Sequence, residues 1–249
     1  MAARRAKSDG KSHHCPTKVL VIDVGGTNVK ILVTGKRAQR KVPSGPSMTA
    51  PEMVAAVKQL AADWSYDVIS LGYPGAVLGG KPVAEPKNLS DGWVGFDFEK
   101  AFGCKVKVVN DAAMQALGSY EGGRMLFLGL GTGLGSALIT DGVLVPMELA
   151  HLLYRKGRTY EDYVGLRGLK RYGDKKWRRY VADVVAALRD ALQADYVVLG
   201  GGNATKLTRL PEYVRLGDNT HAFLGGFRLW EEAWMDERPA CVVRKGLSG

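Results

Sequence analysis

Apolar runs and amphipathic stretches alternate along most of the chain. Residues 18–24 (KVLVIDV) form a β-branched apolar run that ends in two glycines, which predicts a buried strand entering a tight turn. Residues 29–34 (VKILVT) predict the next strand, and the short turn between the two makes the pair antiparallel. After a proline-rich loop, Thr49 predicts a helix N-cap with Pro51 in the first turn, because apolar side chains follow at helical spacing.

The rest of the chain continues this mixture of strands and helices. Further strands are predicted at 67–72, 105–109, 124–130, 134–140, 142–146 and 195–199. Further helices are predicted at 96–102, 111–120, 159–170, 174–193 and 219–235. The Gly/Pro-rich stretch 73–93 is a loop of a length that usually serves a function. Because each half opens with a strand–glycine turn–strand unit, we predict an α/β fold with two lobes around a central cleft.

The composition is that of a globular protein, with 46% hydrophobic and 24% charged residues. No uninterrupted apolar run approaches the roughly 20 residues of a membrane-spanning helix, and the basic start has no apolar h-region. We therefore expect a soluble, cytoplasmic protein with no membrane partner. Cys15, Cys104 and Cys241 lie far apart, so neither a disulfide framework nor a structural zinc site is expected.

The excess positive charge, +10 over the whole chain, is concentrated in two segments. Residues 1–18 hold five Lys or Arg residues and one Asp. Residues 166–180 (LRGLKRYGDKKWRRY) hold seven Lys or Arg residues and one Asp. The second segment is either an anion-binding surface or a solvated helix face, and the sequence leaves both interpretations open. Net charge alone does not distinguish a nucleic acid, an anionic membrane and a polyanionic substrate.

The first stretch that carries chemistry is DVGGTNVK, residues 23–30. Gly25 and Gly26 allow backbone amides to approach an anion closely, and Thr27 and Asn28 add side-chain donors. Asp23 lies at the strand end, where a hydrated metal ion can bind. The alternative is an ordinary glycine hairpin without a ligand.

The second stretch is GLGTGLGS, residues 129–136. It matches neither a P-loop nor the strict GxGxxG pattern. It instead predicts a strand–turn–strand unit with Thr132 at the tip of the turn. Two such hairpins, one in each lobe, are able to hold phosphates from both sides. A third glycine cluster at 200–202 follows a strand, where the backbone can lie against a nucleotide base or ribose.

Three acidic residues and a histidine complete the candidate chemistry. Asp111 follows Asn110 at the end of a predicted strand, an edge that faces the ligand cleft in α/β sheets. Asp111 is therefore a candidate acceptor for the proton of an attacking hydroxyl, and its alternative role is a helix N-cap. Glu148, His151 and Glu161 suit polyol recognition, with ordinary surface placement as the alternative.

In combination and in this order, these stretches resemble the ROK family of sugar kinases and regulators, in particular its polyphosphate/ATP glucokinase branch. The similarity covers residues 18–236. The stretches that carry it are VIDVGGTNVK (21–30), GYPGAV (72–77), NLSDGW (88–93), VVNDA (108–112), LGLGTGLGSALITDGVLVP (128–146), ELAH (148–151), VVLGGG (197–202) and LGGFRLWEEA (224–233). The resemblance implies an actin-like, ribonuclease-H-like fold and transfer of a phosphoryl group from ATP or polyphosphate to a sugar hydroxyl.

The resemblance also assigns roles to residues by position. Asp111 would be the general base on the 6-hydroxyl of glucose or a related hexose, and Asp23 would hold Mg²⁺ through water. The other sugar contacts would be Asn88, Asn110, Glu148, His151, Glu161 and the backbone of Gly75. The donor phosphates would lie against Gly25, Gly26, Thr27, Asn28, Thr132 and Gly133, with Gly201 and Gly202 beside a nucleoside. Positioning and charge neutralisation of this kind are most of what phosphoryl transfer requires.

Two positions depart from the family pattern. Ala150 replaces the glycine of Glu-x-Gly-His, and a positive φ at that position would cost about 1 kcal/mol and tilt His151. Asn203 replaces an aliphatic residue after the third glycine cluster. These departures motivate an alternative function, a catalytically weak sugar- or nucleotide-binding protein derived from such a kinase. Many relatives carry a cysteine-rich zinc loop after the histidine; this chain has none, so we expect His151 to be zinc-free.

The resemblance sets the expected organisation and partners. We expect a basic flexible tail over 1–17, an N-terminal lobe over 18–110 and a C-terminal lobe over 111–249 whose final helix packs back on the N-terminal lobe. The expected ligands are a hexose and a phosphate donor. About 17 residues precede the motifs, too few for a helix-turn-helix, so a DNA-binding repressor is not expected. A nucleic-acid partner is not expected either, and binding of nucleic acid through the basic tail is the alternative. Because family members are commonly dimers, a homodimer is compatible with the sequence.

Overall fold

The computed structural model describes residues 17–218 and 220–231, so most of the predicted tail lies outside it. The strands are β1 (Val19–Val24), β2 (Asn28–Val33), β3 (Arg40–Pro43), β4 (Val68–Tyr73), β5 (Val77–Leu78), β6 (Lys81–Pro82), β7 (Lys105–Asn110), β8 (Arg124–Leu130), β9 (Leu134–Thr140), β10 (Val143–Met147), β11 (Leu153–Arg155), β12 (Arg158–Thr159), β13 (Tyr196–Gly200) and β14 (Val214–Leu216). The helices are α1 (Ala50–Leu60), α2 (Phe98–Phe102), α3 (Asp111–Ser119), α4 (Tyr160–Val164), α5 (Leu166–Leu192) and α6 (His221–Arg228), with a 3₁₀ turn at Ala204–Lys206. None of these helices is long and apolar enough to span a bilayer.

Two five-stranded sheets follow the same plan. The first has the order β3-β2-β1-β4-β7 and the second β10-β9-β8-β13-β14. In each sheet three strands form an antiparallel meander and two further strands pair in parallel with it. The repeated strand–glycine turn–strand unit predicted at 18–34 and 124–146 is therefore confirmed as the opening of each sheet.

The central strand of each sheet is buried on both faces. In β1, Leu20 and Ile22 face a core shared with α1, whereas Val19 and Val21 face α6. In β8 one face packs on α5, through Leu126, Leu128 and Leu130. The opposite face packs on α3, through Met125 and Phe127. This two-residue alternation places α3 and α6 between the two sheets.

Helices α3 and α6 touch through their backbones. A Cβ at Gly118 would overlap the carbonyl of His221, and one at Gly225 would overlap the carbonyl of Met114. Helix α6 is fixed to the first sheet as well, because the buried Ser70 hydroxyl donates to the Gly226 carbonyl at 2.6 Å. The helix that begins at Asp111 is thus held between both sheets.

The predicted start of α1 is confirmed and has a physical basis. The Thr49 hydroxyl accepts from the Glu52 amide at 3.4 Å, and the Glu52 carboxylate accepts from the Thr49 amide at 2.8 Å. This reciprocal pair is a capping box, which satisfies two otherwise unpaired donors of the first turn.

The break predicted between the helices at 159–170 and 174–193 is confirmed, because Gly173 interrupts α5 with non-helical backbone (φ 70°). Three other predictions are wrong. The helix predicted at 159–170 is itself divided at Gly165, where a Cβ would lie 3.0 Å from the Thr132 carbonyl. The stretch 73–93 is not entirely loop, because it contains the small hairpin β5–β6. The final helix predicted over 219–235 ends at Arg228, and its residues 232–235 lie outside the described part of the chain.

Candidate active site

The glycine turn between β1 and β2, here called hairpin 1 (residues 23–30), is closed by its own backbone and by a distant serine. The Gly25 amide donates to the Asn28 carbonyl at 3.0 Å. The Ser44 amide donates to the Thr27 carbonyl at 3.0 Å, and the Ser44 hydroxyl donates to the Gly25 carbonyl at 2.6 Å. These bonds use the carbonyls of Asn28, Thr27 and Gly25 to fix the shape of the turn. Thr27 is exposed at its tip.

The long loop after β4 lies against hairpin 1. A Cβ at Gly26 would lie 2.8 Å from the Asn88 Cβ, so only glycine lets Asn88 approach this closely. Glu85 closes the loop, because its carboxylate accepts from the amides of Trp93 at 3.0 Å and Val94 at 3.2 Å. These backbone bonds lower the pKa of Glu85. Sequence reasoning missed this contact.

The glycine turn between β8 and β9, here called hairpin 2 (residues 129–136), is held by α4 and α5. The Glu161 carboxylate accepts from the Leu134 amide at 3.3 Å. At the start of α5 the Leu166 amide donates to the Gly131 and Thr132 carbonyls, both at 3.2 Å. A Cβ at Gly133 would overlap the Glu161 carboxylate. Glu161, expected on the sugar, therefore contacts the predicted phosphate hairpin.

The third glycine cluster is tied to hairpin 2. Gly201 has φ +82°, and a Cβ there would lie 2.6 Å from the Leu130 backbone, so this position requires glycine on both counts. The Asn203 amide donates to the Leu130 carbonyl at 3.0 Å, and the Asn203 side chain donates to the Gly131 carbonyl at 2.9 Å. Asn203 thus stabilises the turn, whereas Gly202 is exposed beside it.

The N-cap of α3 is Asn110, so the alternative interpretation of Asp111 as the cap is wrong. The Asn110 side-chain oxygen accepts from the amides of Ala112 at 2.9 Å and Ala113 at 3.3 Å, and its amide group donates to the Gly75 carbonyl at 2.9 Å. Asp111 is the first helical residue, and one of its oxygens accepts from the Ala112 amide at 2.8 Å. Because Asn110 performs the capping, the Asp111 carboxylate is available for chemistry.

The Asp111 carboxylate is electrostatically unusual. Burial, and after it the charges of Asp23 and Glu148, together raise the pKa of Asp111 to about 7. Asp23 also forms an ion pair with Lys30 at 3.3 Å, across the β1–β2 register. Three predicted site carboxylates, from hairpin 1, α3 and the segment after β10, therefore lie within electrostatic reach of one another. The backbone also brings hairpin 2 to this point, since a Cβ at Gly135 would lie 2.7 Å from the Ala112 Cβ.

The raised pKa has a consequence for stability. In the unfolded chain the Asp111 carboxyl titrates near pH 3.9, whereas the folded protein holds this proton up to about pH 7. The contribution of the raised pKa to the free energy of unfolding is therefore fully present below about pH 4 and is lost as the pH rises through about 7. We expect Asp111→Asn to unfold at a higher temperature than the parent protein at pH 8, with the difference shrinking towards pH 4. Thermal unfolding at a series of pH values measures this, and an equal difference at every pH would contradict it.

Glu148 and His151 form an exposed pair after β10. Their closest side-chain atoms, Oε1 and Nε2, are 3.9 Å apart, and each side chain is 60% exposed. Ala150 between them is buried and adopts no positive φ, since the described non-glycine residues with positive φ are Asp141, Lys156 and Gln193. The backbone strain that a positive φ would cause at Ala150 is therefore absent. The Ala150 carbonyl accepts from the Glu161 amide at 3.1 Å, which links this segment to α4.

Within residues 17–218 and 220–231, no group of three His, Cys, Asp or Glu side chains is placed to hold a metal ion unaided. A cation that keeps most of its water and binds one or two carboxylates needs no such group.

The sequence profile of the ROK family matches residues 19–146, about half of the chain. The chain belongs to the ROK family. The matched segment runs from β1 into β10 and so contains both glycine hairpins and Asp111.

Curated relatives of this ROK protein include two mycobacterial polyphosphate glucokinases. The Mycobacterium leprae protein is 26% identical over 211 residues, which cover 76% of this chain and 64% of that protein. The Mycobacterium tuberculosis (strain H37Rv) protein is 28% identical over 211 residues, which cover 74% of this chain and 77% of that protein. The chain therefore spans just under two thirds of the M. leprae relative.

Solved structures confirm the expected fold. An inorganic polyphosphate/ATP-glucomannokinase from Arthrobacter sp. strain KM aligns with a TM-score of 0.73 at 23% identity, covering 85% of this chain and 97% of that one. A ROK family glucokinase from Streptomyces griseus, in complex with glucose and AMPPNP, aligns with a TM-score of 0.70 at 17% identity, covering 85% and 98%. The ROK protein thus has the actin-like, two-lobed α/β fold.

Proposed function

We propose that this ROK protein is a hexose kinase that transfers a phosphoryl group from ATP or polyphosphate to the 6-hydroxyl of glucose or a related hexose. The observation that carries the proposal is the Asp111 carboxylate. It lies where hairpin 1, hairpin 2 and the Glu148 segment converge, and its pKa is about 7. A general base works best when its pKa lies near the working pH. The names of the curated relatives support the sugar and the donor.

In the proposed reaction Asp111 accepts the proton of the sugar 6-hydroxyl. The sugar oxygen then forms a bond to the terminal phosphorus of the donor, and the bond from that phosphorus to the leaving phosphate oxygen breaks. The two glycine turns would hold the donor, with Gly25, Gly26, Thr27 and Asn28 on one side and Thr132 and Gly133 on the other. The Gly25 amide is not one of the phosphate donors, because it donates to the Asn28 carbonyl, so Gly25 would contribute close approach only. Gly201 and Gly202 would lie beside a nucleoside where the donor is ATP.

The proposed sugar contacts fall into two groups. Asn88 on the loop and Asn110 with Gly75 lie on the side of hairpin 1, and Glu148 with His151 lies after β10. Glu161 would act on hairpin 2 as well as on the sugar. We propose that these groups belong to two lobes, 18–110 and 111–249, which meet at Asp111.

The carboxylate of Asp23 fits a hydrated Mg²⁺. It lies at the end of β1 beside the phosphate turn and within electrostatic reach of Asp111. Mg²⁺ usually binds one or two carboxylates together with substrate phosphates and water, which matches this sparse set of ligands. When bound, the ion would neutralise charge on the donor phosphates.

A matrix of donors and sugars tests the proposal. ATP and polyphosphate are each combined with glucose, mannose and other hexoses, and sugar-dependent donor consumption is measured with Asp111→Asn as the negative control. We expect turnover with at least one pair. Calorimetric sugar binding without turnover on any pair would instead support the binding-protein alternative, which the unstrained Ala150 no longer favours.

The Glu85 contact predicts a specific loss of sugar affinity. Glu85→Gln weakens charge-assisted bonds to the Trp93 and Val94 amides, and each such bond contributes roughly 1.5–3 kcal/mol. Because the loop closed by Glu85 holds Asn88 on hairpin 1, we expect KM for the sugar to rise about tenfold while kcat changes less. Steady-state kinetics measures both constants.

Glu99→Gln is the matched control for this variant. The Glu99 carboxylate also accepts a backbone bond, from the Val106 amide at 3.1 Å, but at the edge of β7 away from the loop. It should leave KM for the sugar unchanged. Equal effects of the two variants would contradict a positioning role for Glu85.

A further inference from the structure

A cavity of about 600 Å³ lies outside the site described above, and its lining is entirely basic or aromatic. We call it the tyrosine–arginine pocket. Its lining residues are Arg155, Lys156, Arg158, Tyr163, Tyr172 and Tyr180. Three of these are cations from the β11–β12 hairpin, which adds to the basic segment 166–180 on α5.

The β11–β12 hairpin holds three cations close together in an unfavourable arrangement. Arg155 and Arg158 are direct cross-strand partners, an arrangement that destabilises a strand pair when both residues carry like charge. Lys156 adopts φ +52°, a left-handed conformation that is unfavourable for a residue with a long side chain. An anion between the cations would relieve this repulsion.

The tyrosine rings of the pocket pack on one another. Tyr163 stacks on Tyr172 with ring centroids 5.2 Å apart and meets Tyr180 edge-on at 4.8 Å. Arg158 donates to the Tyr172 hydroxyl at 3.4 Å. Because the ring faces are occupied by one another, the pocket offers hydroxyl groups and cations rather than free aromatic faces. This lining suits phosphate oxygens better than stacked bases.

Most of the positive charge of the pocket is not neutralised by the protein. Asp183 pairs with Arg155 at 3.1 Å. No carboxylate in the described part of the chain forms an ion pair with Lys156 or Arg158. At least two cations therefore face the cavity without an acidic partner.

The pocket is one helix away from hairpin 2. Helix α4 carries Tyr163 on the pocket side and Glu161, two residues earlier, on the Leu134 amide. Helix α5 begins at the carbonyls of Gly131 and Thr132 and then runs past the pocket. Helices α4 and α5 therefore contact hairpin 2 and also line the pocket.

We propose that the tyrosine–arginine pocket is a second anion site, which binds phosphate groups through Lys156, Arg158 and the Tyr172 hydroxyl. The phosphate has two chemical sources: the distal part of a polyphosphate chain, or a phosphorylated small molecule such as a hexose phosphate. Binding itself is independent of the proposed function; only the donor source rests on it.

Tripolyphosphate is the probe for the site. Its affinity is measured by calorimetry for the parent protein, for Lys156→Asn/Arg158→Gln, and for Lys175→Gln/Lys176→Gln. Asn suits the left-handed turn at position 156. The second variant removes the same charge from exposed α5 residues that do not line the pocket. We expect the pocket variant to bind about tenfold more weakly and the α5 variant to change less than about twofold.

Hydrogen exchange separates this site from the hairpins, which can bind the same anion. Tripolyphosphate should slow exchange in residues 153–159 of the parent protein and of the α5 variant, but not of the pocket variant. Equal weakening by both variants, or protection of 153–159 that survives Lys156→Asn/Arg158→Gln, would overturn the proposal. These readouts do not require turnover, so they remain decisive if the kinase assay fails.

Two further arms identify the source of the phosphate. If the source is the donor, the pocket variant raises KM for long-chain polyphosphate about tenfold and leaves KM for ATP unchanged. If the source is a small molecule, a hexose 6-phosphate protects residues 153–159 without polyphosphate. Failure of tripolyphosphate, polyphosphate and hexose 6-phosphate alike to protect this segment would overturn the site.

Discussion

Replacing Asp111 with asparagine should lower kcat/KM for the sugar by about 10²–10⁴-fold, the usual contribution of a positioned general base. Asparagine keeps the size of the side chain and still accepts the Ala112 amide, so the helix start is preserved. What it loses is the ability to take a proton from the sugar hydroxyl. Sugar binding should persist, and steady-state kinetics together with calorimetry separates the two effects.

The pH profile gives the same experiment a second readout. Because burial and two nearby carboxylates raise the pKa of Asp111 to about 7, kcat/KM of the parent protein should rise as the pH increases through that value. The residual activity of Asp111→Asn should lack this rise. Asp97→Asn is the control, since Asp97 caps α2 by accepting the Lys100 amide at 2.9 Å and asparagine caps equally well. An Asp111→Asn variant that keeps more than about a tenth of the activity would exclude Asp111 as the base.

The features that sequence reasoning predicted are those determined by neighbouring residues. Hairpin 1 follows from a β-branched run that ends in two glycines, and the start of α1 follows from Thr49 and Glu52. The ion pair between Asp23 and Lys30 was within reach too, because an antiparallel pair around this turn places the two residues opposite each other. The family resemblance then supplied the fold, which the structure comparisons confirm.

The features that sequence reasoning missed depend on contacts between distant segments. Ser44 closes hairpin 1, and Asn203 braces hairpin 2 from 72 residues away. The break at Gly165 could not be read from helix propensity, because it is set by the approach of Thr132. The pKa of Asp111 likewise depends on burial and on charges brought from other elements. Such effects appear only when the tertiary structure is known.

Replacing Gly225 with alanine should destabilise the protein by about 1–3 kcal/mol, the usual cost of overpacking a close contact. The new methyl group would overlap the Met114 carbonyl and lie 2.8 Å from the Gly118 amide, so α6 and α3 must separate. The sign is diagnostic. In a helix without such a contact, the same substitution stabilises by about 0.5–1 kcal/mol, because alanine has the higher helix propensity. Urea unfolding measures the change.

Gly202→Ala is the matched control for Gly225→Ala, since a Cβ there meets nothing within 4 Å. Its free energy of unfolding should stay within about 0.5 kcal/mol of the parent value. Because α3 carries Asp111 at its first position, separation of α3 from α6 should also move the carboxylate relative to hairpin 1, and a displacement of about 1 Å costs roughly a hundredfold in rate. Gly225→Ala should therefore lose activity even at temperatures where it remains folded. A variant that is as stable and as active as the parent protein would show that the α3–α6 contact does not position Asp111.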